Sequence, residues 1–153
     1  MKDKILFWLD NFSPHFGIAK FLQEIHDCEL FAIIDVNAGK KFFENQEIIS
    51  FKKKWYYRDN ILKIKEKPNL KYLKSIENKY NINFWKLAFS DQIFNQYNKY
   101  YKFSSEEILL IFEQECKFFE KILDEIKPDF LFIRITDYSN IQLLSLICQS
   151  RGI

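Results

Sequence analysis

Glycine, proline and cysteine are all scarce in this chain, with three of each among 153 residues. Gly17, Gly39 and Gly152 are too far apart to spell Gly-x-Gly-x-x-Gly or a phosphate-cradling P-loop, which excludes both nucleotide fingerprints on residues alone. Cys28, Cys116 and Cys148 have no short spacing, and each lies in or beside an apolar run. They read as reduced, buried thiols, not as a disulfide framework or a metal centre. His26-Asp27-Cys28 brings three ligand types together, but consecutive residues at a helix end cannot converge on one ion, so no metal is expected. No set of serine, histidine and acid announces a triad. The apolar segment before Asp10 is too short for a signal sequence or a membrane span, and the expected location is the cytoplasm. A net charge of +2 gives no reason to expect a nucleic-acid partner.

What is present is enough apolar material for one ordinary domain: 48% of residues are hydrophobic and 29% charged. The charge is unevenly spread. Residues 52–80 carry ten Lys or Arg against three acids, and residues 104–129 carry eight acids against three Lys. The stretch from Ser104 to Gln149 organises the rest. Ser104 and Glu107 form a capping box, after which Ile108, Phe112, Cys116, Phe119, Leu123 and Ile126 recur at the spacing of one helix face. Pro128 ends that helix, and Phe130-Leu131-Phe132-Ile133-Arg134-Ile135 follows as a strand apolar on both faces, the mark of a buried parallel strand.

Two further apolar runs, Lys4–Leu9 and Leu30–Ile34, flank an amphipathic helix expected over Ile18–Asp27, with Ile18, Phe21, Leu22 and Ile25 inward. Ile48–Phe51 and Trp55–Tyr57 read as short strands. Asn69–Tyr80 reads as a helix, a second begins at Phe84 after Asn81 or Asn83 as cap, and Ile141–Ser150 is a last helix closed near Gly152. Strand, helix and strand repeated in this order predict an α/β fold: a doubly wound, mainly parallel, Rossmann-like sheet with helices on both faces. Ligands in such sheets bind beyond the carboxyl ends of the strands. That singles out three loops: Asp10–Gly17, Asp35–Gly39 and Thr136–Ser139.

Several of these features occur together: the first strand with its Pro14-His15-Phe16-Gly17 loop, the Phe84-Trp85-Lys86-Leu87-Ala88-Phe89-Ser90-Asp91 segment, the Phe-rich acidic helix, and Lys127-Pro128-Asp129 opening a strand. With a helix closing on Arg151-Gly152-Ile153, the chain resembles the amino-terminal domain of GT-B glycosyltransferases of the capsule and surface-polysaccharide type. The resemblance implies that residues 1–153 form a single Rossmann-like domain, the acceptor-side half of a longer two-domain enzyme. It also implies a nucleotide-sugar co-substrate bound mainly by another domain, no cofactor, and transfer of a sugar to a saccharide or lipid-linked acceptor. A base from this domain would take the acceptor's proton. His15 is the first candidate, since an imidazole titrates near neutrality, and Asp137 is the second. Asn11, Ser13, Gly17, Arg134, Thr136 and Tyr138, in or beside the loops, are the expected substrate contacts. UDP-sugar 2-epimerases share such a fold, but their Gly-Thr-Arg-Pro-Glu type of opening after the first strand is absent.

Simpler roles compete at each position. His15 could pack locally, Asp137 could cap a helix, and Arg134, charged within an apolar strand, needs a carboxylate partner in any case. Lys52-Lys53-Lys54-Trp55-Tyr56-Tyr57-Arg58 interleaves cations with aromatics, a pattern suited to anionic lipid head groups or to nucleic acid. It is the expected point of peripheral contact with the inner membrane face, or else a solvated basic loop. Two alternatives to the enzyme remain from residues alone: a non-catalytic α/β assembly module, and a basic module that binds lipid or nucleic acid.

Overall fold

The structure, a computed structural model, describes residues 2–11, 14–36, 39–61, 67–95 and 99–153. The elements are β1 (Asp3–Leu9), α1 (Pro14–Ile25), β2 (Cys28–Ile34), α2 (Lys40–Asn45), β3 (Phe51–Tyr56), α3 (Tyr57–Asn60), α4 (Leu70–Tyr80) and α5 (Phe84–Ser90), then α6 (Gln92–Asn95), α7 (Ser105–Ile126), β4 (Phe130–Phe132) and α8 (Ser139–Ser150). The fold is α/β with an all-parallel, four-stranded sheet in the order β3-β2-β1-β4, flanked by helices. The chain divides into two compact units. One holds Met1–Asn60, Glu125–Arg134 and Ile153; the other holds Ile61–Asp124 and Ile135–Gly152.

In the sheet unit, β1 and β2 pair in register from Asp3 with Cys28 to Leu9 with Ile34. Strand side chains alternate between faces, so Ile5, Phe7 and Leu9 share a face with Leu30, Ala32 and Ile34. These pack with Ala19 of α1 and Phe43 of α2 in one core. Leu6, Trp8, Phe31 and Ile33 on the opposite face are buried as well, which accounts for apolar runs without alternation. Lys127-Pro128-Asp129 has a structural job: Lys127 leaves the helical region at φ 47°, and the Asp129 carboxylate accepts from the Lys4 amide at 2.8 Å. The Asp129 amide donates to the Lys4 carbonyl at 2.8 Å, so the start of β4 is clamped against β1.

Three elements differ from the sequence expectation. Helix α1 starts at Pro14, not Ile18, because proline at the first helical position loses no bond and already has a helical φ. Its buried residues are His15 and Ala19, with Phe16 and the expected Leu22 partly buried against the core, while Ile18, Phe21 and Ile25 are exposed. Strand β4 stops at Phe132, forms an edge of the sheet and leaves Phe130 55% exposed, so it is not the fully buried strand that its composition suggests. Ile48 and Ile49 are bends, and β3 instead runs through the three lysines. Cys28 is half-buried, while Cys116 and Cys148 are buried; burial pushes the Cys148 thiol up to about 12, and the Cys116 thiol is raised by burial and then by the nearby Glu115.

The second unit is helical. The capping box on α7 is formed, with the Ser104 amide donating to Glu107 at 2.8 Å and the Glu107 amide to the Ser104 hydroxyl at 3.2 Å. Asn83 caps α5 by accepting from the Lys86 amide. The buried carboxylate of Asp91 serves two helix starts, accepting from the Ile93 amide and the Ser139 amide at 2.7 Å each. Glu120 of α7 accepts from Tyr80 at 2.7 Å, Lys79 at 2.6 Å and Tyr72 at 3.0 Å, tying α4 to α7. Asp91→Ala takes the acceptor from the buried Ser139 amide and the part-buried Ile93 amide and is expected to cost about 1–2 kcal/mol by urea unfolding, with Asp91→Asn costing less because it keeps an acceptor.

Candidate functional site

The strand order fixes where a ligand can approach the sheet. The chain adds β2 and then β3 on one side of β1, and returns to place β4 on the other side. The direction of winding therefore reverses between β1 and β4, the kind of position at which open α/β sheets bind ligands beyond the carboxyl ends of their strands. The residues at that point are Asp10 and Asn11 after β1, His15 in the first turn of α1, and Phe132 and Arg134 at the end of β4.

His15 is 5% exposed. Its Nδ1 lies 3.1 Å from the Trp8 carbonyl oxygen, and its ring stands edge-on to Phe132 with centroids 5.2 Å apart. A carbonyl only accepts, so Nδ1 carries the proton and a neutral ring has its lone pair on Nε2. His15 is thus a helical residue packed between β1 and β4, not a loop residue. Gly17 lies inside α1, not at its start; it is exposed, and an added Cβ there meets nothing within 4 Å.

Across the rim the charges follow the strand order. Arg58, after β3, donates from Nε to Asp35, after β2, at 2.8 Å; Arg134, after β4, lies 3.4 Å from Asp10, after β1. Read along the sheet, the row is cation, carboxylate, carboxylate, cation. The carboxylates are the sheltered members, with side chains 17% and 16% exposed against 45% and 54% for Arg134 and Arg58. Arg134 therefore lies beyond the strand and partly in solvent, with the carboxylate partner that its charge requires. Burial raises the Asp35 carboxyl above the usual carboxylate range; Arg58 pulls it back in part, and the charge of Asp10 pushes it further up. Lys40 pairs with Asp59 at 2.5 Å, which adds a tether to the turn that carries Arg58.

Asp137, Thr136 and Tyr138 belong to the helical unit. Asp137 is exposed, with Gln92 at 3.5 Å, and it does not cap α8, because the Ser139 amide is taken by Asp91. The Thr136 hydroxyl accepts from the Tyr138 amide at 3.3 Å, a local turn before α8. Asn11 is exposed beside Asp10, and Ser13 lies outside the described residues. Among the described residues no group of three or more His, Cys, Asp or Glu is placed to hold a metal ion.

The lysine run does not form one patch. Alternation puts Lys53 on the opposite face of β3 from Lys52 and Lys54. Lys53 pairs with Glu125 at 2.5 Å, Lys54 donates to the Phe43 carbonyl at 2.6 Å, and Lys52 lies 3.9 Å from Glu29. No helix among the described residues is long and apolar enough to cross a membrane. Sequence reasoning marks the loops that begin at Asp10 and Asp35 but gives neither carboxylate a role, yet a signal exists: the apolar runs Ile5–Leu9 and Leu30–Ile34 each end directly on a carboxylate.

Two expectations follow. A carboxyl with a higher pKa in the folded state binds more protons when folded, so the stability it contributes is complete below the unfolded pKa near about 4 and is lost as pH rises through the folded value. Asp35→Asn removes that loss, so the melting temperature of the variant relative to the parent should climb as pH is raised from about 4 into the weakly acidic range; a flat difference contradicts the raised carboxyl. Gly17→Ala, in an open helical position, should stabilise the protein by about 0.5–1 kcal/mol in denaturant unfolding. Comparison of the chain with protein-family models, with curated proteins and with solved structures gives no match, so the reading of the site stands on this geometry.

Proposed function

We propose that the rim between β1 and β4 is the acceptor side of a glycosyl-transfer site, in which His15 accepts the proton of a substrate hydroxyl as that oxygen attacks the anomeric carbon of a nucleotide sugar. The observation that carries this reading is the bond between Nδ1 of His15 and the Trp8 carbonyl, at the point where the winding of the sheet reverses. The bond fixes the tautomer and the ring plane, and assigns the basic lone pair to Nε2. Oriented imidazoles of this kind are effective general bases near neutral pH because little free energy is needed to protonate them. Arg134 and Asp10 would then border the hydroxyl-bearing substrate, with Asn11 beside them. Asp137, in the other unit, is the second candidate for the base.

The diphosphate leaving group needs cations or a helix N-terminus to stabilise it, and the nucleotide sugar would be held mainly by a further domain. The ion pairs of the lysine run make a lipid-surface or nucleic-acid module the weaker reading. The test is release of nucleoside diphosphate from a panel of nucleotide sugars offered with saccharide acceptors, using the complete protein. His15→Ala is expected to lower turnover by about two to four orders of magnitude. An unchanged rate would remove His15 from the chemistry, and loss confined to Asp137→Asn would transfer the role.

A further inference from the structure

We infer that the flank of α1 on the β4 side, together with the edge of β4, is an interface between two copies of this chain related by a two-fold axis. Ile18, Phe21, Leu22 and Ile25 recur three and four residues apart, so they share one side of α1. Leu22 is partly buried, while Ile18, Phe21 and Ile25 are 37%, 58% and 62% exposed. Contacts on the two flanks of the helix fix which way that side faces. On one flank Phe16 meets Phe42 and Phe43 of α2, and Gln23 accepts from the Ser50 amide just before β3. On the other, His15 meets Phe132 of β4. Ile18, Phe21 and Ile25 follow beyond His15 around the helix, on the β4 side. Phe130 and Phe132 pair in register with Ile5 and Phe7, so they point to the face of the sheet that α1 covers, and Phe130 is 55% exposed. Helix and edge strand thus present apolar side chains on the same face.

Size and charge select a second copy as the occupant. The exposed parts of Ile18, Phe21, Ile25 and Phe130 amount to on the order of 400 Å² per protomer, with an aromatic side chain presenting about 200 Å² in full. A stable interface buries about 800 Å² on each partner, a little over half of it apolar, so these four residues supply most of the apolar share that self-association requires. Strand β4 is an edge, open on the side away from β1, so a second β4 can extend the sheet there. Charged groups along α1 and at its carboxyl end pair with one another: Lys20 with Glu24 at 3.2 Å, Lys2 with Asp27, and His26 with Asp3 at 3.0 Å. At the start of β4, Lys127 and Asp129 are opposite in sign. Near a two-fold axis a charge meets its own copy, so a bordering excess of either sign would oppose association, and here the pairs cancel. The same cancellation leaves little to draw an anionic lipid surface or a charged peptide.

The experiment is sedimentation velocity of the complete protein over a concentration series. Dimers are expected, with dissociation in the micromolar range. Phe21→Glu and Phe130→Glu each change a half-exposed side chain, and each should weaken the dimer about tenfold or more, with melting unchanged at dilutions where the parent is also monomeric. Ile48→Glu, at an exposed apolar position just before β3, should leave the dimer intact. A protein that stays monomeric up to about 100 μM overturns the inference, whether the flank is then covered by another part of the chain or binds phosphatidylcholine vesicles. So does a dimer that survives both Phe21→Glu and Phe130→Glu, or one that Ile48→Glu dissolves equally. The concentration series needs no substitution, so it decides the matter even if a variant does not fold.

Discussion

The paired ladder of β1 sets the terms for the rest of the sheet unit. This strand has hydrogen-bonded neighbours on both sides and buried side chains on both faces, so from Ile5 to Leu9 no polar side chain can be carried without a partner. Polar chemistry is pushed to the first position where the ladder ends, which is Asp10. The same constraint on β2 delivers Asp35, whose own amide still donates to the Leu9 carbonyl at 2.8 Å. Two carboxylates then stand side by side because their strands do. The outer strands are less constrained, and they supply the cations. The order of charge at the rim is therefore a consequence of which strands lie in the middle.

The parts of this fold that could be read from sequence are those where one physical demand dominates. Continuous apolar runs at Ile5 and Leu30 announce strands buried on two faces, and with the run at Phe130 they lie side by side and run the same way. The capping box at Ser104 and the left-handed Gly152 at φ 75° are local bonds with local spelling. What escaped depends on partners distant in the chain. Pro14 and His15 look like turn residues until the helix that they begin is known. Phe130–Ile135 has the composition of a long strand, but only three of its residues find register against β1. The rim row is harder still, since Asp10 and Arg134 become neighbours only through the strand order. The Asp91 cap shows the same limit, because its second amide comes from Ser139.

The uneven charge of the sequence has a similar explanation. A basic middle and an acidic long helix suggest binding surfaces when read separately. In the structure Lys79 meets Glu120, Lys53 meets Glu125, and the Asn69 amide donates to Glu113 at 2.6 Å. Two cations of the basic stretch thus pair with the acidic helix, and others among the described residues pair elsewhere, Lys52 with Glu29 and Arg58 with Asp35. Exposed pairs of this kind contribute little each. Glu120 is different because two tyrosine hydroxyls and an ammonium converge on one half-sheltered carboxylate, with Arg151 at 3.7 Å.

Glu120 and Asp35 show two different outcomes for a sheltered carboxylate. Both are partly sheltered, and both have a cation at hydrogen-bonding distance. At Glu120 burial alone would raise the pKa, but donors from Lys79, Tyr80 and Tyr72 outweigh it and hold the carboxyl below its usual range, so its ionised form favours folding at neutral pH. At Asp35 burial wins, since the single arginine is opposed by the neighbouring charge of Asp10. The ionised form is then unfavourable to the fold at neutral pH. A second donor, or an apolar residue at position 10, would reduce that unfavourable term. Strained electrostatics of this sort concentrate where a ligand is meant to complete them. A hydroxyl donor offered to Asp35 would act there as the tyrosines act on Glu120.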